Sequence, residues 1–213
     1  VQGPKSKDLL SQLTNGNIKQ LKYYNFFVGS IKDVSNVIIS RTGYTGELGF
    51  ELYIKNKFVE KVWHHLFNTN ISLSPIGLAA RDTLRMEKGF CLYGNDIDES
   101  TSPIEAGLSW ITKFNKKFIN FDNLNKEKLN GPIRKLIGLE LIDRGIARKD
   151  YEIYCSKNQI IGNITSGTMS PTLSKSIALG YVKTEYSHVG TELYVKVRNK
   201  LLKSIVVNFP FVK

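Results

Sequence analysis

The hydrophobic pattern of this 213-residue chain changes period at Asn130-Gly131-Pro132. Downstream, short apolar runs recur at 135–142, 152–154, 159–165, 176–182, 191–197 and 203–208. Turn residues separate them at intervals of roughly 8–12 residues, the rhythm of a small barrel or sandwich of about 80 residues. The stretch that leads into it, 114–134, is polar and rich in Asn and Lys, and reads as a boundary. Upstream the pattern is mixed. Ser6 to Leu13 reads as a short amphipathic helix, and Tyr23 to Val28 and Val34 to Ser40 are apolar runs of strand length. Between Lys57 and Asn68, Phe58, Val59, Val62, Trp63, Leu66 and Phe67 share one face at a period of 3.6, which predicts a helix. A second helix is predicted over Ile76 to Lys88, stopped by Gly89. The fold class expected is α+β followed by a small C-terminal β-barrel, with domains at 1–125 and 134–213.

Several function classes are excluded early. A hydrophobic content of 41% against 23% charged residues is that of a globular chain. No apolar run approaches the roughly 20 residues of a membrane helix, and VQGPKSKDLL has no apolar signal region, so no membrane association is expected. The formal net charge is +11, but the lysines are scattered and no aromatic-interleaved basic motif of an RNA-binding sheet is present; nucleic acid is not an expected partner. Cys91 and Cys155 are far apart and form no C-x-x-C pair, which argues against structural zinc and for a reducing compartment. His64, His65 and His188 lack metal-cluster spacing, so no metal is expected. The chain begins at Val1 rather than Met, as a processed or partial product would.

Three segments could carry chemistry. The first is RTGYTGELGFE, 41–51, a glycine-rich turn that lacks both the dinucleotide and the P-loop spacing. Alternation from Phe50 sets Phe50, Leu52 and Ile54 against Glu51 and Tyr53. Glu51 therefore projects from a strand beside a glycine turn, either simply solvated or as a fork for two adjacent N–H donors. The second is GLAARDTLR, 77–85, where Arg81 and Arg85 are i,i+4 neighbours. They form either an exposed basic stripe with Gly77 and Lys88 or a planar grip on a ligand. The third runs from Cys91 to Trp110. Its Asp96, Asp98 and Glu99 miss the order of a calcium loop, and Asp96 or Asp98 reads as a turn cap. Trp110 reads as a core residue or as a face for an aromatic ligand.

Together these segments strongly resemble the aminomethyltransferase family, the T-protein of the glycine cleavage system. The matching stretches are VQGPKS, SRTGYTGELGFELYI and GLAARDTLRMEKGFCLYGNDIDESTSPIEAGLSW, then IGNITSGTMSPTLSKSIALGYV, GTELYVKVR and NFPFVK. They cover essentially the whole chain. Folate-binding domains of dimethylglycine- and sarcosine-oxidising enzymes are related.

The resemblance implies a folate-binding α+β domain, represented by its later part, followed by the barrel. It implies transfer of a one-carbon unit from the aminomethyl-lipoyl arm of H-protein to tetrahydrofolate, with release of ammonia, and no metal. It assigns Glu51 to the pteridine, Arg81 to folate contact, Trp110 to the benzoyl ring and Tyr44 to the pocket lining. The family's proposed catalytic Asp belongs to an N-terminal portion upstream of this chain, so no catalytic residue is assigned within 1–213. The isolated chain is expected to expose unpaired sheet edges and half of a cleft, and the family implies bacterial cytoplasm or mitochondrial matrix. The positive surface fits a folate polyglutamate tail and an acidic lipoyl carrier. Two other readings remain open at this point: a folate-binding scaffold without turnover, and the C-terminal part of a demethylating enzyme with a flavin domain upstream.

Overall fold

The computed structural model describes all 213 residues. By its contacts the chain divides into two units, Val1–Leu84 and Arg85–Lys213. The division falls inside a helix, because the last turn of that helix is buried in the second unit.

In the first unit, β1 (Phe26–Ile31) and β2 (Val34–Ser40) form an antiparallel hairpin, and β3 (Glu51–Tyr53) pairs antiparallel with β2. The strand expected over 23–28 thus starts three residues later. The tight turn is made by Lys32 and Asp33, with Lys32 at φ 52, in the left-handed region that such hairpins require. Two helices cover one face of this sheet: α1 (Ser6–Ser11) and α2 (Val59–Phe67). Leu9 and Leu10 of α1 and Val62 and Leu66 of α2 pack with Ile31, Val37, Ile39 and Phe50 into one core. The 3.6 period identified α2, but only part of its apolar stripe is inward, since Val59 and Trp63 stay about half exposed. The hairpin turn is clipped to α2 by Asp33, whose carboxylate meets Lys61 and accepts a 2.9 Å bond from His65 Nε2.

The opposite sheet face is uncovered. In the register of the strands, Val28, Ile38 and Tyr53 form one cross-strand row, and Phe26, Ser40 and Glu51 form the next. Phe26, Val28 and Tyr53 are each more than half exposed on it.

The second unit begins in the last turn of α3 (Leu78–Glu87) and includes α4 (Phe121–Asn130). The α4 helix lies inside the polar stretch, 114–134, that reads as a boundary in the sequence. Six strands follow: β4 (Arg134–Leu141), β5 (Glu152–Tyr154), β6 (Ile160–Ser170), β7 (Lys175–Lys183), β8 (Glu192–Val197) and β9 (Lys200–Val207). They close into an antiparallel barrel of order β4-β7-β6-β5-β8-β9, as the turn rhythm predicts. Leu139, Ile153, Ile164, Leu193, Val195 and Val206 fill its interior. Closure removes the exposed edges that a six-stranded open sheet would carry.

β7 is buried on both faces. Ala178 and Val182 point into the barrel, while Ile177, Leu179 and Tyr181 meet Met86 of α3 and the terminal Phe209 and Phe211. The end of α3 requires Gly89. Its φ of +68 is costly for a residue with a Cβ, and a Cβ there would sit 2.5 Å from the Phe209 ring. No helix of the structure is long and apolar enough to cross a membrane.

Candidate functional site

In the first unit the chemistry collects around the glycine turn, 41–49, and the uncovered sheet face. The turn is held from within by Gln2. Its Nε2 donates to the Thr42 and Phe50 carbonyls, both at 3.3 Å, and its Oε1 accepts from the Thr45 hydroxyl at 3.2 Å. The close approach of this side chain is what Gly43 and Gly49 make possible.

Glu51 leaves this turn on β3 with its side chain exposed on the sheet face that carries Phe26, Val28, Ile38 and Tyr53. The alternation read from Phe50 onward is therefore correct. The Thr42 hydroxyl donates to Glu51 Oε2 and lies 3.0 Å from Ser40 Oγ. Glu51 Oε1 carries no hydrogen bond. One oxygen is thus fixed while the carboxylate keeps acceptor capacity for a ligand. Its negative charge is felt by Tyr23. That phenol is pushed above its ordinary value by partial burial first, then by its hydrogen bond to Tyr24, with Glu51 adding to the shift. Tyr23 and Tyr24 stack obliquely with centroids 4.2 Å apart.

Sequence reasoning passed over Tyr23, Tyr24, Phe26 and Val28. The apolar run 23–28 marks a strand in the sequence, but nothing local tells which of its side chains stay exposed. A carboxylate on an apolar, aromatic-bordered surface suits a flat heterocycle that presents adjacent N–H donors at its edge and a π-face to the apolar row.

Arg81 and Tyr44 come together: the guanidinium carbon stands 4.5 Å from the centroid of the Tyr44 ring. Arg81 is exposed, on the first turns of α3, where Leu78 is 82% exposed. Glu51 and Tyr44 flank the same turn. Trp110 belongs to the second unit, where it is 65% exposed in a turn and accepts a 2.9 Å bond at its carbonyl from Lys113 Nζ. The core reading of Trp110 is therefore overturned.

Arg85 departs from the expected basic stripe. It is 1% exposed, and Nη1 donates to Asp96 Oδ2 at 2.6 Å and to the Phe90 carbonyl at 3.0 Å, while Nη2 donates to Ser166 Oγ at 2.9 Å. Asp96 also accepts the Leu92 N–H at 2.9 Å and the Thr165 hydroxyl at 2.5 Å. Glu87, likewise buried, accepts from the hydroxyls of Ser170 and Thr172 at 2.5 and 2.9 Å. These groups pin the end of α3 to β6 and the turn after it, and each of their acidic oxygens already accepts a hydrogen bond from within the fold. Asp98 is a turn cap, as expected. It accepts the Ser100 N–H at 2.9 Å and the hydroxyls of Ser100 and Thr101, and these bonds hold its carboxyl below the ordinary range. Neither Cys91 nor Cys155 is in a disulfide.

Comparison with known proteins agrees along the whole length. The family model of the GCVT N-terminal domain matches residues 1–116, and that of the glycine cleavage T-protein C-terminal barrel domain matches 134–213. An aminomethyltransferase of Bacteroides fragilis is 52% identical over 217 residues, covering 100% of this chain and 60% of its own length. One from Halothermothrix orenii is 49% identical over 215 residues, with the same coverage. The crystal structure of glycine cleavage system aminomethyltransferase T from Bartonella henselae superposes with a TM-score of 0.90 at 32% identity, over 99% of this chain and 58% of that one. The chain thus spans about 60% of the length of the curated relatives it matches.

Proposed function

The chain belongs to the glycine cleavage T-protein family, and from that premise we propose that it is the C-terminal portion of a tetrahydrofolate-dependent aminomethyltransferase. In this reading residues 1–125 are the later part of a folate-binding domain and 134–213 its companion barrel. The reaction takes an aminomethyl group from the lipoyl arm of an H-protein, passes its carbon to folate nitrogen, and releases ammonia and the free lipoyl thiol. In this reading the chain works in a bacterial cytoplasm or an organelle matrix.

The observation that carries the proposal is the placement of Glu51. It is an exposed carboxylate with one oxygen fixed by Thr42, on an apolar sheet face bordered by Tyr23 and Tyr24. The 2-amino-4-oxo edge of a reduced pterin offers the two parallel N–H donors such a fork accepts. The roles of Arg81, Tyr44 and Trp110 in holding folate belong to the same proposal. So does the division of labour: this chain binds and orients, and the proton-handling carboxylate comes from residues outside 1–213. The buried, fully engaged state of Asp96 and the capping role of Asp98 support that division.

The test is ammonia release from an aminomethylated lipoyl carrier. The complete gene product is expected to release ammonia in proportion to added tetrahydrofolate, and 1–213 alone to release none. A complete product that leaves the aminomethyl carrier intact overturns the reaction. Robust turnover by 1–213 alone overturns the placement of the catalytic group.

A further inference from the structure

Within the first unit, residues 1–6 lie as a splint along the end of the glycine turn. Gln2 and Gly49 form an isolated antiparallel bridge. The Phe50 N–H donates to the Val1 carbonyl at 2.8 Å and the Gly3 N–H to the Leu48 carbonyl at 2.7 Å. The Ser6 hydroxyl donates to the same Leu48 oxygen at 3.1 Å. From this splint the Gln2 side chain enters the turn. Its two amide hydrogens go to opposite limbs, the Thr42 and Phe50 carbonyls, and its oxygen accepts the Thr45 hydroxyl at the crown. A turn with glycines at 43, 46 and 49 has the greatest backbone freedom available to a chain, so it keeps one shape only if something ties it. One side chain ties both limbs and the crown. A Cβ at Gly43 or Gly49 would collide with the Gln2 amide, so the same glycines that loosen the turn admit the group that fixes it. The first tied residue, Thr42, is the one whose hydroxyl donates to Glu51 Oε2, and Tyr44, two positions on, meets Arg81.

We propose that Gln2 is a positioning residue for the pterin: it holds the 41–49 turn in the shape that sets the Glu51 carboxylate through Thr42. The inference rests on the folate reading above, in which Glu51 receives the pterin. Gln2 acts through other residues, since its side-chain bonds all go to the turn. A turn ordered at folding loses little freedom when a ligand arrives, whereas a loose one takes that loss out of the binding energy. The N–H edge that Glu51 holds in this reading is not the nitrogen that accepts the carbon. The contribution of Gln2 therefore belongs to affinity and not to the chemical step.

The experiment uses the complete gene product. It measures tetrahydrofolate affinity by calorimetry, with kcat and the KM for tetrahydrofolate in ammonia release. Gln2→Met keeps the length of the side chain and removes its hydrogen bonds. It is expected to weaken tetrahydrofolate binding about three- to tenfold and to raise KM by the same factor, with kcat held within about twofold. In a Glu51→Ala background the same substitution is expected to change affinity by less than about twofold, because the carboxylate it positions is gone. Thr45→Val removes only the hydroxyl at the crown, with an expected loss of about two- to threefold that Glu51→Ala likewise abolishes. If Gln2→Met does not fold, Thr45→Val decides by the same criteria. A parent that binds tetrahydrofolate, with both variants unchanged in affinity, overturns the proposal and leaves the folate reading standing. So does an equal loss in both backgrounds, or a fall in kcat at constant KM, since either marks Gln2 as a support of the fold alone. If the parent does not bind tetrahydrofolate, the folate reading falls and this inference falls with it.

Discussion

Arg85 and Asp96 form an ion pair sealed from water: Nη1 stands 2.6 Å from Oδ2, with the two side chains 1% and 0% exposed. The pair joins the end of α3 to the loop that follows it, and Ser166 and Thr165 extend it to β6. Such a pair is expensive to break from one side, because the partner is left charged and dry.

Asp96→Asn should therefore cost the second unit about 3–5 kcal/mol. It leaves the Arg85 guanidinium buried opposite a neutral amide. Urea denaturation followed by far-UV circular dichroism reads the loss. The double substitution Arg85→Met with Asp96→Leu should cost less than Asp96→Asn alone, since no charge is then buried without a partner. A single variant as stable as the parent would show that water reaches this site.

The same region should make the fold sensitive to alkali. Burial, reinforced by the negative charge of Asp96, pushes the Cys91 thiol up to about 11, and burial raises the Tyr181 phenol well above its ordinary range. An unfolded thiol loses its proton near pH 8.5, roughly. Between there and about 11 the native state holds a proton that the unfolded state has released. The unfolded state then binds fewer protons, so stability falls as pH rises. This contribution is intact below the unfolded value and gone above the folded one. Urea midpoints taken at intervals between about pH 8 and 11 should decline, and Cys91→Ala should flatten that decline. An unchanged slope in the variant would remove Cys91 from the account.

The contrast between Arg81 and Arg85 shows what the sequence could and could not reveal. Both sit on one face of one helix, yet Arg81 is exposed and Arg85 is buried. Periodicity reports a face, not how far along the helix burial begins. The partners that bury Arg85 lie 11 and 81 residues away, at Asp96 and Ser166, where no local pattern points to them. Helix α4 escaped notice for a related reason: it has no buried residue and hence no apolar stripe to betray a period of 3.6. The barrel and α2 were legible because their apolar residues recur where the core needs them. Glu51 was legible as a projecting residue from alternation alone, while its assignment to a pterin came from resemblance and not from spacing.

Tyr44 and Arg81 are separated by 37 positions but meet ring to guanidinium at 4.5 Å. A double-mutant cycle with Tyr44→Ala and Arg81→Ala should return a coupling of about 0.5–1 kcal/mol, the size of an exposed cation–π contact. Repeating the cycle from a Tyr44→Phe background should retain most of it, because the ring face and not the hydroxyl holds the cation. Additive single effects would mean that the contact contributes nothing to the first unit.

Glu51→Ala should weaken tetrahydrofolate binding by about 1–3 kcal/mol, the value of charge-assisted bonds from one carboxylate. Glu51→Gln should weaken it less, since the amide keeps an acceptor oxygen but offers an N–H where the pterin also presents a donor. Thr42→Val provides an independent check. It removes the hydroxyl that fixes Oε2 while leaving the charge in place, so it should cost about 0.5–1.5 kcal/mol, less than the loss of the carboxylate itself. Calorimetry on the complete protein orders the three variants. The sequence Ala worse than Gln, with Val mildest, follows only if this carboxylate touches the ligand. Equal affinities across all three would place the pterin elsewhere and leave Glu51 as a solvated residue on an open sheet.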